Sequence, residues 1–367
     1  MKGCLKMDRR YSVAIVGATG MVGQRFISLL HNHPWFTIKT LAASARSAGK
    51  TYEEAVAGRW AFPWAIPESV RAMTVVDASD IAAVTGQVDF IFCAVDMQKD
   101  EIRALEDAYA KTETPVVSNN SAHRSTGDVP MIIPELNPEH ADVIEYQRKR
   151  LGTKAGFVTV KPNCSIQSYV PALHALRDFE PDRVVVSTYQ AISGAGKTFE
   201  RWPEMLDNVI PYIGGEEEKS EQEPLKIWGH IENGVIVPAK SPVISAHCIR
   251  VPVADGHLAT VWASFKKPVS RDEIIAAWRG YQGLPQTLAL PSAPRQFIQY
   301  FDEPNRPQTQ LDRDFEHGMG ISLGRLRGDS LFDYRFVGLS HNTLRGAAGG
   351  AVLIAELLCK QGYIPHK

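Results

Sequence analysis

No apolar run in this sequence approaches the length of a membrane span, and neither sign of charge dominates it. Lys plus Arg (40) nearly cancels Asp plus Glu (41), leaving a formal net charge of −1. That balance excludes a global field for nucleic acid or for an anionic membrane surface. Cysteine is sparse and unpaired in pattern: Cys4, Cys93, Cys164, Cys248 and Cys359 are odd in number and form no C-x-x-C motif. A disulfide framework and a cysteine zinc site are therefore not expected, and the cytoplasm is the natural compartment. His31-Asn32-His33 and His247-Cys248 lack a third or fourth ligand at suitable spacing, so no metal is expected. Met1–Arg10 has neither the apolar core nor the small-residue cleavage site of a signal peptide. Residues 1–8 are assigned no structural role, and Met7 serves equally well as a start.

What is present suits a soluble protein of two domains. At 367 residues, 44% hydrophobic and 22% charged, the chain can bury two full cores.

Tyr11–Val16 is a short apolar, β-branched run that reads as a buried parallel strand. It leads into Gly17-Ala-Thr-Gly20-Met-Val-Gly23 and then a helix over Gln24–His31, stopped by Pro34. Strand, glycine turn and helix in that order form the setting of a pyrophosphate-binding loop, here spaced G-x-x-G-x-x-G. The next strand is expected at Ile38–Ala42. An NAD site places an acidic residue about 20 residues past the glycines, yet no Asp or Glu occurs between Trp35 and Tyr52. Ser44, Arg46, Ser47 and Lys50 stand there instead, hydroxyls and cations suited to a 2′-phosphate. NADP is the better match, with a solvated basic loop as the plainer reading. Further strands at Met73–Val76, Val88–Val95 and Pro115–Ser118, with a helix over Lys99–Ala110, imply a doubly wound sheet. Ser118–Arg124 follows the last of them and should face the ligand, and Gly127–Glu139 reads as a connector.

From Val158 the pattern shifts to longer strands: Arg183–Gln190, Gly234–Pro238, His247–Val253 and His257–Lys266. They imply an α+β domain on a mostly antiparallel sheet. Gly346–Leu358 reads as a helix that packs back on the nucleotide domain. The boundaries expected are 9–157 with 342–367 for the dinucleotide domain and 158–341 for the second.

Two residues in this half carry candidate chemistry. Cys164 lies in Lys-Pro-Asn-Cys-Ser, where Pro-Asn signals a helix start ahead of the amphipathic stretch Ile166–Arg177. The first turn of a helix favours a thiolate, which makes Cys164 a candidate nucleophile; a small buried hydrophobe is the alternative. His257 follows Asp255-Gly256, read as a tight turn between two strands that aims the ring into a cleft. Ala191–Thr198 ends in Gly-Lys-Thr like an NTPase phosphate loop, but Ala191 stands where that pattern needs glycine.

Five segments, in order over nearly the whole chain, resemble the aspartate-semialdehyde dehydrogenase family: Gly17–Gly23, Pro162–Ser165, Tyr189–Gly196, Arg250–His257 and Asn342–Gly349. Ile210–Lys219 and the Ser44–Lys50 loop are similar to its archaeal and fungal branch. The resemblance implies a Rossmann-like NADP-binding domain joined to a catalytic and dimerisation domain. It also implies reversible NADPH-dependent reduction of aspartyl 4-phosphate to aspartate semialdehyde, in a homodimer or homotetramer. Cys164 is then the nucleophile that forms a thioacyl-enzyme, His257 the acid/base, and Gln190 the residue that orients the acyl group. Arg250 holds the substrate carboxylate, Arg124 and Lys226 the phosphate, and Glu223 the amino group, with Asn163 beside the substrate. Glu216–Glu218 lie near enough for the Glu-x-x-Lys register to slip. Gly17, Thr19, Gly20, Met21, Val22, Gly23, Ser44, Arg46, Ser47, Ser193 and Gly194 contact the cofactor, and Asn342 approaches its nicotinamide end. A relative that takes a different acyl donor, such as a malonyl-CoA reductase, shares these features and is the alternative.

Overall fold

The structure, a computed structural model, describes residues 9–367, so the expectations for residues 1–8 lie outside it. The first half builds a six-stranded, wholly parallel sheet from β1 (Tyr11–Val16), β2 (Phe36–Ala43), β3 (Val75–Asp77), β4 (Phe90–Cys93), β5 (Val116–Ser118) and β6 (Val158–Val160). Its order is β3-β2-β1-β4-β5-β6. Short runs such as Phe90–Cys93, buried at every position, form these strands because helices cover both faces. The direction of winding reverses at β1 and β4, which opens a crevice beyond their carboxyl ends. β6 belongs to this sheet and pairs with β5, so the sheet runs past the boundary expected at residue 157. Three residues were too short a strand to separate from the longer ones that follow.

The second sheet is mixed, antiparallel in three of its five pairings, as expected of a mostly antiparallel sheet. It contains β7 (Pro181–Gln190), β10 (Val243–Arg250), β11 (His257–Phe265), β12 (Ile298–Phe301), β13 (Ile321–Gly328) and β14 (Tyr334–Ser340). The order is β10-β7-β11-β14-β13-β12, with antiparallel pairing in the middle and parallel pairing at both edges. β8 (His230–Glu232) and β9 (Val235–Val237) stand apart as a hairpin, turned by Asn233 and Gly234, both at positive φ.

Three local expectations change. Arg250 to His257 is not a hairpin: β10 and β11 flank β7 on opposite sides, and the connection crosses the end of β7. The helix expected over Ile166–Arg177 breaks into a 3₁₀ turn at Ser165–Ser168 and an α-helical turn at Val170–His174. Pro171 has no N–H to continue a helix begun at Ser165, but is tolerated in the first turn of a new one. Ala191–Thr198 holds a four-residue 3₁₀ turn at Ile192–Ala195 and no helix of the kind a phosphate loop requires, and Lys197 Nζ lies 4.4 Å from the Trp202 ring centre.

The C-terminal helix, Gly349–Lys360, is buried from Gly349 to Cys359 and packs with Val13, Ile15, Phe90 and Phe92 of the parallel sheet. A π-helical turn at Leu344–Ala348 precedes it. Among the described residues no helix is long and apolar enough to cross a membrane, and no His/Cys/Asp/Glu group has metal-site geometry.

Candidate active site

Strand direction alone brings the candidate residues to one place. In the parallel sheet the loops after β1, β5 and β6 leave the same edge, and they carry Gly17–Val22, Asn119–Arg124 and Lys161–Cys164. In the mixed sheet β7 and β10 run parallel, so Gln190 and Arg250 end side by side in register. β11 starts at that edge with His257, and β14 ends there at Ser340, opposite His257, just before Asn342. A cavity of about 290 Å³ lies between the two edges. Its walls include Asn120, Arg124, Lys161, Asn163, Cys164, Ser193, Gly194, Glu216, Lys219 and Asn342.

Cys164 Sγ lies 3.4 Å from His257 Nε2. The other ring nitrogen, Nδ1, accepts the backbone N–H of Ala191 at 3.0 Å. In the neutral ring the proton therefore sits on Nε2, facing the sulfur. Burial, joined by the Arg250 charge, pushes the His257 pKa well below its ordinary value. The thiol departs from expectation. Burial and then the Glu216 carboxylate push Cys164 up, while Lys161, Arg124 and Arg250 oppose them. Cys164 stands before a four-residue 3₁₀ turn, and the Ser165 N–H beyond it is taken at 2.7 Å by the Asn163 side chain. The helix-start effect is thus small, and burial together with charged side chains governs this thiol. Gly346 and Gly194 keep the site open. A Cβ on Gly346 would lie 2.8 Å from that of Cys164, and one on Gly194 would lie 3.0–3.1 Å from Arg250 and His257.

The acidic helix Glu216–Ile227 corrects two assignments. Lys226 Nζ donates to the carbonyls of Arg124, Thr126 and Val129 at 2.8, 2.7 and 2.9 Å. All three of its protons are used on backbone, so it braces a loop and has none for a phosphate. Glu223 accepts from Arg124 Nη1 at 3.0 Å and from the Asn163 N–H at 2.5 Å, behind the cavity wall. Two turns earlier, Glu216 and Lys219 repeat the Glu-x-x-Lys spacing and do line the cavity. Glu216 accepts from Asn163 Nδ2, Gln190 Nε2 and Lys219 Nζ at 3.0, 3.0 and 2.8 Å. Of the two Glu-x-x-Lys pairs seven residues apart, the one that begins in the triple-glutamate run is the one that reaches the cavity.

Arg124 keeps its place on the cavity, held by Glu223 and the Lys161 carbonyl. Arg250 uses Nη1 on the Ala191 carbonyl at 2.6 Å, and burial lowers its pKa. Asn342 accepts from the Gly256 N–H and donates to Ser193 Oγ, both at 2.8 Å, and with Gly194 these line the cavity. Lys161, absent from the expected set, is buried in the cavity wall with its ammonium on the Pro162 and Gly346 carbonyls.

The loop after β1 fits a dinucleotide. Gly17 has φ +84°, and a Cβ there would lie 2.2 Å from the Ala94 carbonyl oxygen. Gly20 caps the helix Met21–Leu30 with no side chain, so the N–H groups of Met21, Val22 and Gly23 have no intrahelical partner. Thr19 lies in this loop, and its carbonyl accepts from Gln24. Beyond β2, Ser44 and Arg46 are exposed and Ser47 is tucked into the turn, in the stretch where an NAD site needs a carboxylate and this chain has none.

Two family models match the chain: the semialdehyde dehydrogenase NAD binding domain over residues 12–144 and the semialdehyde dehydrogenase dimerisation domain over 173–345. An aspartate-semialdehyde dehydrogenase of Methanothermobacter thermautotrophicus is 46% identical over 95% of this chain and 98% of its own. One from Archaeoglobus fulgidus is 42% identical over 97% and 100%. The crystal structure of the Candida albicans aspartate-semialdehyde dehydrogenase with NADP superposes with a TM-score of 0.87, at 38% identity, over 97% of this chain and all of that one.

Proposed function

The chain belongs to the aspartate-semialdehyde dehydrogenase family, and we propose that it reduces L-aspartyl 4-phosphate reversibly to L-aspartate 4-semialdehyde through a thioacyl group on Cys164. It is an NADP-dependent oxidoreductase of amino-acid biosynthesis. One observation carries the mechanism: Cys164 Sγ is 3.4 Å from His257 Nε2, beside a cavity that also presents Arg124, Lys219 and Glu216. These groups match a substrate bearing phosphate and ammonium, and Arg250 at the adjoining wall suits its carboxylate as a bidentate partner.

The Cys164 thiolate attacks the acyl carbon, the S–C bond forms, and phosphate leaves with the electron pair toward Arg124 and Lys219. NADPH, when bound, would supply the hydride; the S–C bond then breaks with its electron pair returning to Cys164, and the aldehyde leaves. His257, with Nε2 beside the sulfur, is the acid/base, and its Nε2–H is the donor aimed at the oxyanion. Glu216 faces the substrate ammonium and holds Gln190 and Asn163 around the acyl group. Glu223 and Lys226 support Arg124 and its loop from behind.

The homo-oligomer is a dimer or tetramer in the cytoplasm. Exposed Leu206, Val209 and Tyr212 beside edge strand β10 support an assembly face there. The names of the relatives favour the acyl phosphate over a CoA thioester such as malonyl-CoA. The deciding assay is NADP reduction by aspartate semialdehyde with and without phosphate. Cys164→Ala should abolish phosphate-dependent turnover and keep NADP binding. A fully active variant, or faster turnover with malonyl-CoA in the reductive direction, would sink the reading.

A further inference from the structure

We propose that Arg345 is a positioning residue for the nucleophile. Its buried guanidinium ties the turn that follows Cys164 to the π-helical turn that faces it. The proposal rests on Cys164 being the nucleophile, and it starts from how closely these two turns fit. Gly346 lies in the π-helical turn Leu344–Ala348, next to Ala347, whose φ of −144° and ψ of −111° leave helical geometry. A Cβ on Gly346 would lie 2.8 Å from the Cys164 Cβ, 3.1 Å from its Cα and 3.3 Å from its carbonyl oxygen. At such separations a shift of one turn is transmitted to the other, and with it the place of the sulfur relative to His257 Nε2.

Arg345 directly precedes Gly346, and Gln167 lies three residues after Cys164. Arg345 Nε donates to Gln167 Oε1 at 3.2 Å, within the 3₁₀ turn Ser165–Ser168. Its Nη1 donates to Glu135 Oε1 at 2.7 Å and its Nη2 to Glu135 Oε2, so the carboxylate holds the fork in one plane. The guanidinium carbon lies 4.7 Å from the Phe297 ring centre, which closes one face of that plane. Arg345, Glu135 and Gln167 are all buried. Glu135 is fixed in turn: Tyr281 Oη donates to its carbonyl at 2.6 Å, and a Cβ on Gly283 would lie 2.6 Å from its Cα.

None of the three side chains lines the cavity, so their effect on the reaction passes through Cys164. An ion pair buried this deeply gains little over an apolar pair of similar volume, because desolvation offsets most of the attraction. What the pair supplies is direction. A planar fork serves Glu135 and Gln167 together in one orientation only, which a rotating ammonium does not impose. Lys161, in the cavity wall, adds a second tie from Nζ to the Gly346 carbonyl.

The test compares two full-chain variants by kcat, KM, urea midpoint and alkylation of Cys164 with iodoacetamide. Gln167→Met removes the tie to the turn after Cys164 and leaves the Arg345–Glu135 pair in place. Arg345→Met combined with Glu135→Leu removes both charges together, so neither is left unpaired in the interior. Both variants should lose kcat in phosphate-dependent turnover, the double variant by roughly 100-fold, as expected of a nucleophile displaced by about 1 Å. KM for aspartate semialdehyde should stay near the wild-type value, because no substrate anchor is altered. Iodoacetamide needs a thiolate but no alignment with a bound acyl group, so it should label Cys164 at close to the wild-type rate. Wild-type kcat in Gln167→Met or in the folded double variant overturns the proposal, as does a raised KM with unchanged kcat. Where the double variant fails to fold, Gln167→Met decides by itself. Wild-type enzyme that keeps phosphate-dependent turnover after Cys164 is alkylated would instead refute the nucleophile reading.

Discussion

Gln190 donates from Nε2 to the Glu216 carboxylate at 3.0 Å, while its own Oε1 is buried with no protein partner among the described residues. An unpaired buried acceptor is costly, so the arrangement is organised for a donor that arrives with the substrate. Glu216→Ala should release Gln190 and Asn163 together and remove the carboxylate facing the ammonium. The expected outcome is a KM increase of at least about tenfold with a fall in kcat, as a charged hydrogen bond is lost. Steady-state kinetics on aspartate semialdehyde check this, and an unchanged KM would remove Glu216 from substrate binding.

Lys219 and Lys226 should behave oppositely although both lie on one helix. Lys219→Ala should raise KM for phosphate in the oxidative direction with little change in melting temperature, because Lys219 is the half-buried cation on the cavity. Lys226→Met strips donors from three carbonyls and should cost roughly 2–4 kcal/mol of stability. Urea denaturation and phosphate titration of the two variants separate the roles. A stable Lys226→Met enzyme with a specific phosphate defect would restore the original assignment.

Gly23 shows what the third glycine of the loop is for. A Cβ there would lie 2.2 Å from the Gly17 carbonyl oxygen and 2.6 Å from the Ala18 Cα. Gly23→Ala should therefore push the helix off the strand, at a cost of about 1–3 kcal/mol, and weaken NADP binding. Fluorescence titration with NADPH, alongside a urea midpoint, measures both effects. Wild-type values for both would mean that the loop tolerates the shift.

Glu106 predicts a pH dependence of stability. It is fully buried, accepts from Ser118 Oγ at 2.5 Å and Asn120 Nδ2 at 2.9 Å, and burial raises its pKa to about 7. The folded state thus binds this proton more tightly than the unfolded chain. The associated stability is fully present below about pH 4.5 and is lost as pH rises through 7, an effect of about 3 kcal/mol. The urea midpoint of the wild type should fall between pH 5 and 8 relative to Glu106→Gln. Parallel profiles would show that Glu106 does not titrate in this range.

The local order of elements was legible in the chain. β1 begins and ends where its apolar run does, and the glycine turn and helix follow because the period of apolar residues changes from strand to helix at Gly17–Gly23. The absence of a carboxylate after β2 was equally readable. Cys164, His257, Gln190, Arg124, Arg250 and Asn342 all meet at the facing sheet edges, since their motifs end or begin strands and lie in the loops that follow.

The sequence by itself determined the segments of β1 to β5, β7, β10 and β11, which loop suits a dinucleotide and which cysteine stands in a motif; β6, β12, β13 and β14 were not read from it. Only the tertiary structure decided which groups share the site and what each can donate. Glu216 and Glu223 have the same side chain and lie seven residues apart on one helix; their difference is that one faces the cavity and the other faces Arg124. His257 is a donor because a backbone N–H of β7's following residue reaches its Nδ1 across a crossover connection that local pattern read as a hairpin. Lys161 is anchored in the cavity wall by the Gly346 carbonyl, 185 residues away. Propensity and periodicity act over a few residues, whereas hydrogen-bond partners and burial, which set protonation, are distributed across the whole chain.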